Sequence, residues 1–367
     1  MRTRDDLRLL QNLPLHIKIA KTKLRIREWV NHYGIDGVYL AWSGGKDSTV
    51  LRHIIMQDYP EVESVFVNTG LEYPEIQRFV RAAKDRGEPV TILRTEMSFV
   101  EVIKKYGYPV ISKEVCNTIS GAKNSIRKGV YSHRLCKLGV QKDEYGGLRD
   151  AGIYDYERTL EKSMYRQDKW RPLLDADFNV SSFCCDVMKK KPTKQYEKGT
   201  GKKAFIGTMA WESQNRETAW MLHGCNAFES KRPSSKPMSF WTEQDVLEYI
   251  KTYNVEIPSV YGDVVYAEEP QQVRWEEVTD QPIGCDKLCT TGCSRTGCVF
   301  CLFGAHLERG EGRLERLKRT HPRQYEYCIG GGEYGEDGIW RPNKQGLGMG
   351  HVIDELNRLY GDGFIKY

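Results

Sequence analysis

Two stretches of this chain concentrate residues with chemistry to offer. "SGGKDS" occupies positions 43–48, between a short apolar run, "GVYLAW", and a run of helical spacing, "STVLRHIIMQDY". "GCDKLCTTGCSRTGCVFC" holds Cys285, Cys289, Cys293, Cys298 and Cys301. In the first stretch, Gly44 and Gly45 let the backbone turn tightly and approach a ligand closely. The amides that open the following helix carry partial positive charge. Lys46 adds a full charge and Ser48 a hydroxyl donor, so the turn suits phosphate groups. It lacks the Gly-x4-Gly-Lys-Ser/Thr spacing of a Walker A loop. The alternative is an ordinary Gly-Gly turn, against which stands the strand–turn–helix context. In the second stretch, Cys298-x-x-Cys301 can direct two sulfurs at one centre, and five clustered thiols exceed the four that a metal site needs.

The rest of the composition narrows the setting. The 367 residues include 40% hydrophobic and 29% charged side chains, as in a globular protein rather than a disordered one. No apolar run approaches the ~18 residues of a membrane span. The opening "MRTRDDLRLLQNLPLHIKIAKTKLRIREWV" is charged throughout, unlike a secretory signal, and a cytoplasmic protein without a membrane partner is expected. In that setting eleven cysteines point to metal or redox chemistry rather than disulfides. The net charge of +5 permits a DNA or tRNA partner without arguing for one.

Hydrophobic spacing supplies the elements that must position these residues. Residues 1–35 read as helix broken at Pro14. Strands are expected at 37–43, 62–70 and 89–96, and helices at 47–59, 73–87 and 98–107. That alternation means parallel βαβ units and an open, mostly parallel, doubly wound α/β sheet, with ligands outside the carboxyl ends of its strands. Residues 108–200 lose the regularity and read as an irregular insertion. A strand returns at 203–210 and a helix at 211–224. In "SFWTEQDVLEYIKTYN" Thr242 is an N-cap with Asp245 three residues on. Trp211, Trp220, Trp241 and Tyr249 read as core. The divisions are a helical segment at 1–35, a nucleotide-binding domain at 36–260, a Cys-rich region at 261–330 and a tail with a helix at 331–367.

At this point the motifs resemble a known family. "SGGKDS" is similar to the pyrophosphatase loop of PP-loop proteins, the adenine nucleotide alpha hydrolases, which cleave ATP between its α and β phosphates. "VNTGLEYPE" (67–75), "CCDVMKKKP" (184–192), "GTMAWESQNR" (207–216) and "KPMSFWTEQDVLEYIKTYNVEIPSVY" (236–261) resemble, in order, segments of the phosphoadenosine phosphosulfate (PAPS) reductase branch. The resemblance implies that Ser43, Gly44, Gly45, Lys46, Asp47 and Ser48 hold nucleotide phosphates. It places Asn68, Thr69, Gly70 and Glu72 at the nucleotide crevice. Lys46 would neutralise the departing pyrophosphate, Asp47 or Glu72 would help place Mg²⁺, and Arg216 would pair a phosphate or sulfate. Lys189, Lys190 and Lys191 either bind anions or form a solvated loop.

The chain also departs from a PAPS reductase. It has no cysteine after Cys328 to match the reductase's Glu-Cys-Gly-type motif, and it keeps a lysine that the reductase loop tends to lose. An ATP pyrophosphate-lyase with a separate sulfur source is therefore expected: adenylylation of an acceptor, then replacement of AMP by sulfur. "RTGCVFCLFG" resembles a segment of PAPS reductase-like proteins and, more loosely, the cluster-bearing proteins of DNA phosphorothioation and tRNA thiolation. That implies a [4Fe–4S] cluster, with structural Zn²⁺ and free thiols as alternatives. The expected ligands are Cys289, Cys293, Cys298 and Cys301, with Cys285, Cys328, Cys184 and Cys185 as alternates. His306 and His321 read as structural. The implied partners are an adenine nucleotide, a sulfur donor such as a cysteine desulfurase, and a DNA, tRNA or small-molecule acceptor. Two other functions stay open: an adenylyl sulfate or PAPS reductase with relocated cysteines, and a nucleotide-binding accessory or sensor protein with a structural metal site.

Overall fold

The computed structural model describes residues 2–150, 166–267 and 287–367, and the chain folds into two compact units. Unit 1 comprises Met1–Asn68, Glu72–Arg94 and Pro192–Gly297; unit 2 comprises Thr69–Leu71, Thr95–Lys191 and Cys298–Tyr367. The units interleave along the chain, whereas the divisions drawn from sequence are contiguous.

Unit 1 opens with helices α1 (Arg4–Gln11) and α2 (Leu15–Tyr33), separated at Pro14 as its missing amide hydrogen requires. Strand β1 (Val38–Ala41) leads into α3 (Lys46–Asp58), β2 (Ser64–Asn68) into α4 (Pro74–Asp85), and β3 (Val90–Arg94) ends the run. Pro74 takes the first helical position, where its fixed φ is favourable.

Unit 2 continues with α5 (Phe99–Tyr106), β4 (Val110–Ile111) and α6 (Lys113–Arg127). The chain passes through α7 (Lys191–Thr200) at the boundary and re-enters unit 1. There follow β5 (Lys203–Ile206), α8 (Gln214–His223), the short strands β6 (Asn226–Ala227) and β7 (Ser234–Ser235), and α9 (Glu243–Tyr253).

The sheet of unit 1 runs β3-β2-β1-β5-β7-β6, parallel except for the β6–β7 pair. Chain order reverses between β1 and β5, the point at which an open α/β sheet presents its crevice. β1 is buried on both faces, with Val38, Tyr39 and Leu40 at most 1% exposed, which accounts for its unbroken apolar run. Thr242 caps α9 in a reciprocal box with Asp245. The Asp245 carboxylate also takes the ammonium of buried Lys18 at 2.6 Å, tying α9 to α2.

The antiparallel pair β8 (Val264–Tyr266) and β9 (Leu288–Thr290) completes unit 1. In unit 2, β10 (Leu302–Phe303) pairs in parallel with β4. Helices α10 (Arg313–Thr320) and α11 (Pro322–Ile329), the hairpin β11 (Glu333–Tyr334) and β12 (Trp340–Arg341), and α12 (Met349–Tyr360) complete this unit.

Three expectations are corrected. Residues 108–200 are not irregular throughout. α6 runs for 15 residues with Ser112 as N-cap and buries Val115, Cys116, Thr118, Ile119 and Ala122. Its polar composition hid a narrow apolar stripe. Lys189 and Lys190 are exposed as expected, yet they belong to a π-helical turn, Asp186–Lys190, rather than to a loop. Trp220, Trp241 and Tyr249 are core residues, but Trp211 is 42% exposed, with the Arg295 guanidinium 5.4 Å from its ring centre. Among the described residues no helix is long and apolar enough to cross a membrane.

Candidate active site

The phosphate turn is assembled wholly within unit 1. α3 begins at Lys46 with Gly45 as its N-cap, and glycine brings no side chain of its own to cap the first turn. Helix-opening amides of that kind are suited to an anion. Gly44 has φ +72°, and a Cβ there would lie 2.7 Å from Ile76 Cγ2 on α4, so glycine is required for both conformation and space. The Ser43 and Ser48 hydroxyls are 3.0 Å apart, and Ser48 Oγ donates to the Gly45 carbonyl at 3.0 Å. Gly207, just past β5, packs on Ser48: a Cβ there would lie 2.9 Å from Ser48 Cα. The loops that follow β1 and β5 therefore meet at the reversal of strand order.

Lys46 is only 3% exposed. Its ammonium donates to the Ser294 carbonyl at 2.7 Å and pairs with Glu243 at 3.1 Å, with Asp47 at 3.8 Å. Its amide donates to Tyr261 Oη at 3.0 Å, and that hydroxyl is 2.5 Å from Thr296 Oγ1. Burial pushes the Tyr261 hydroxyl up to about 12, so it remains neutral at ordinary pH. Asp47 Oδ1 has no hydrogen-bond partner. Burial raises the Asp47 carboxyl above its ordinary value; Lys46 opposes that shift, Glu243 adds to it, and Arg295 and Arg216 oppose it. Glu212 gathers both guanidiniums: Arg216 bonds to it directly and Arg295 lies 3.6 Å away. The result is a compact set of alternating charges around the loop, able to exchange internal partners for phosphate oxygens.

Of the expected residues, Ser43, Gly44, Gly45, Lys46, Asp47, Ser48 and Arg216 come together in this unit. Asn68 ends β2 in unit 1, and Glu72 also belongs to unit 1, whereas Thr69 and Gly70 belong to unit 2. In unit 2 the Leu71 carbonyl accepts from the Val299 amide at 2.8 Å, beside Cys298. The sequence reading missed Glu243, Tyr261, Ser294 and Thr296. Ser294 acts through its backbone carbonyl, for which no residue type is a signal. Glu243 carried one weak cue, its place immediately after the Thr242 cap.

The cysteines divide differently from the expected set. Cys289, in β9, and Cys293 belong to unit 1, and Cys298 and Cys301 to unit 2. Unit 2 also contains Cys184 and Cys185, and there the two pairs interact. The Cys184 thiol is raised by its hydrogen bond with Cys185 and by burial, then by Cys185, Cys301 and Cys298 in turn. Cys185 is pulled down to about 6, first by Cys184 and then, against burial, by Lys113 and Lys189. Burial pushes Cys301 up to about 11. Cys328 is fully buried, and its thiol donates to Met349 Sδ at 3.5 Å. Cys285 lies outside the described residues. His306 packs against Trp170 and Phe364. None of the described cysteines forms a disulfide.

As the side chains stand, no three described His, Cys, Asp or Glu groups converge as a single metal ion requires. The donor chemistry nevertheless fits a thiolate-bound cluster: two adjacent cysteines and a Cys-x-x-Cys pair, electrostatically coupled within one unit.

The strand order defines a doubly wound α/β protein. Residues 37–175 and 141–302 match the phosphoadenosine phosphosulfate reductase domain, and the chain belongs to that family. An uncharacterized protein of Methanocaldococcus jannaschii is 28% identical over 173 residues, which cover 44% of this chain and 34% of that protein. The chain thus spans about a third of this relative's length. The crystal structure of phosphoadenylyl-sulfate (PAPS) reductase from Candida auris, a phosphate complex, is similar at 14% identity and a TM-score of 0.36. That similarity covers 71% of this chain and 91% of the other.

Proposed function

We propose that this protein is an ATP-using sulfur-transfer enzyme. The observation that carries the reading is the buried Lys46 ammonium at the glycine-led start of α3, at the reversal of strand order. The loop would hold the β and γ phosphates of ATP, with Mg²⁺ neutralising them and Asp47 as a carboxylate within its reach. An acceptor oxygen attacks the α-phosphorus, the bond to the bridging oxygen breaks, and pyrophosphate leaves with that electron pair. Lys46 and the loop amides stabilise the departing charge, while Arg216 and Arg295 offer guanidiniums to the remaining phosphate oxygens. Hydrosulfide supplied by a sulfur donor, such as a cysteine desulfurase system with its reductant, then displaces AMP, leaving sulfur on the acceptor. DNA, tRNA and small molecules are the acceptor classes to screen.

Cys184, Cys185, Cys298 and Cys301 are the residues we assign to a [4Fe–4S] cluster, ahead of Cys289 and Cys293. When bound, such a cluster supplies one-electron and sulfur-ligating chemistry. Zinc is the alternative occupant.

The test is pyrophosphate release from ATP with candidate acceptors, beside iron, zinc and acid-labile sulfide analysis of anaerobically purified protein. Lys46→Ala should lower release by about 100-fold or more; an unchanged rate would sink the assignment. A second reading, reduction of PAPS or adenylyl sulfate, is favoured by the family match itself. Sulfite release with a thiol reductant, without ATP turnover, would select it.

A further inference from the structure

The first amide of α3 and the ammonium beside it are both engaged by one part of unit 1. The Lys46 amide donates to Tyr261 Oη at 3.0 Å, and the Lys46 ammonium donates to the Ser294 carbonyl at 2.7 Å. Thr296 Oγ1 lies 2.5 Å from the same Tyr261 hydroxyl. A Cβ on Gly45 would lie 3.2 Å from Tyr261 Oη and 3.4 Å from Thr296 Oγ1, so the two hydroxyls stand directly over the N-cap of α3. A phosphate oxygen bound to that amide would have to take the place of the tyrosine oxygen, because one N–H makes one good hydrogen bond.

The segment that supplies these groups is fastened along its length. Residues 291–293 run beside 260–263: the Thr291 amide donates to the Asp263 carbonyl at 3.0 Å, the Gly292 amide to Tyr261 at 2.8 Å and the Cys293 amide to Val260 at 2.9 Å. The approach is close enough that a Cβ on Gly292 would lie 2.4 Å from the Val260 carbonyl oxygen. Thr290 Oγ1 donates to the Cys293 carbonyl at 2.9 Å, turning the chain toward the loop. α9 secures the same piece from the other side. Gln244 exchanges hydrogen bonds with the Leu288 amide and carbonyl, at 2.8 and 3.0 Å, while its neighbour Glu243 pairs with Lys46 at 3.1 Å.

We propose that Ser294–Thr296 and Tyr261 form an autoinhibitory strap: they occupy the Lys46 amide and ammonium as internal competitors, and a phosphate chain binds the loop only by displacing them. The inference rests on the reading of the loop as a phosphate site. The strap's hydroxyls and carbonyl are neutral acceptors, and hydrogen bonds to a charged phosphate oxygen are roughly twice as strong as those to neutral partners. A polyphosphate therefore outcompetes the strap, whereas the strap holds the loop closed against weaker ligands. The affinity observed for a nucleotide is reduced by the population of the closed form.

The experiment is calorimetric binding of ATP–Mg²⁺ and of inorganic pyrophosphate to the full-length protein, with Tyr261→Phe, Thr296→Val and Tyr266→Phe in parallel. Tyr261→Phe removes the competing hydroxyl and should tighten binding of both probes by about 3- to 10-fold. Thr296→Val leaves Tyr261 with one partner fewer and should tighten binding less; it carries the test alone if Tyr261→Phe fails to fold. Tyr266, in β8 and 57% exposed, makes the same chemical change away from the loop, and its variant should bind as the wild type does. Weaker or unchanged binding in Tyr261→Phe and Thr296→Val would overturn the strap, the weaker result making the hydroxyls ligands of phosphate instead. Equal tightening in Tyr266→Phe would overturn it as well. Wild-type protein and all variants without affinity for either probe would overturn the phosphate reading itself, a result distinct from any difference between variants.

Discussion

The phosphate loop and the thiol group solve opposite problems. The loop is six consecutive residues in unit 1, and its geometry follows from local rules: glycine freedom, a strand, a helix start. Unit 2 holds both a Cys-Cys pair before α7 and a Cys-x-x-Cys pair before β10, and Cys301 and Cys298 help raise the Cys184 thiol. A local spacing rule finds the first; for the second it names the nearest cysteines, Cys289 and Cys293, which the fold keeps in unit 1. Charge differs too. Every ionised group around Lys46 has an opposite partner, whereas the Cys185 thiol is lowered first by Cys184 and then by Lys113 and Lys189.

The sharpest way to break this contrast is through the cysteines. Replacing Cys184 or Cys301 by serine should abolish bound iron and sulfide, while Cys289→Ser and Cys293→Ser should retain both, as read by metal analysis. The reverse pattern would restore the contiguous set. Next in size is Trp241→Ala, which removes a fully buried indole whose Nε1 donates to Thr22 Oγ1 at 2.9 Å. It should cost about 3–5 kcal/mol in denaturant unfolding. The contrasting Trp211→Ala, on the exposed ring, should fall within about 0.5 kcal/mol. Between them lies Gly44→Ala, expected to cost about 1–3 kcal/mol and to weaken ATP binding measured by calorimetry. Full ATP affinity in that variant would detach the loop from the nucleotide.

A smaller effect tests the charge balance of the loop. The Asp47 carboxyl is raised by burial, so the folded state binds its proton more tightly than the unfolded chain does. Ionisation therefore penalises the fold. The penalty is absent below the unfolded value, about 4, and grows as pH rises through the higher folded value. Asp47→Asn should accordingly raise Tm at neutral pH, with the gain vanishing near about pH 4. A pH-independent difference would mean that the carboxylate is fully compensated by Lys46 and the arginines.

Much of unit 1 was legible because its signals are local. The apolar run of β1, the Thr242–Asp245 cap, Pro74 opening α4 and the "SGGKDS" turn each depend on neighbours within a few residues. α6 was not legible, because lysine, serine and asparagine dilute a stripe that only its packing surface reveals. Trp211 was misread because a large apolar ring is usually buried, and only the tertiary structure shows it lying open beneath Arg295.

By itself, then, the sequence determined the parallel α/β order, the glycine turn between β1 and α3 and a surplus of thiols, since residue type and short-range spacing suffice for those. Tertiary structure alone decided that Tyr261, Ser294 and Glu243 meet Lys46, and that Cys184 and Cys185 share a unit with Cys298 and Cys301. These depend on loop closure across long stretches of chain, where the energy of the packed whole, not any local preference, selects the partner.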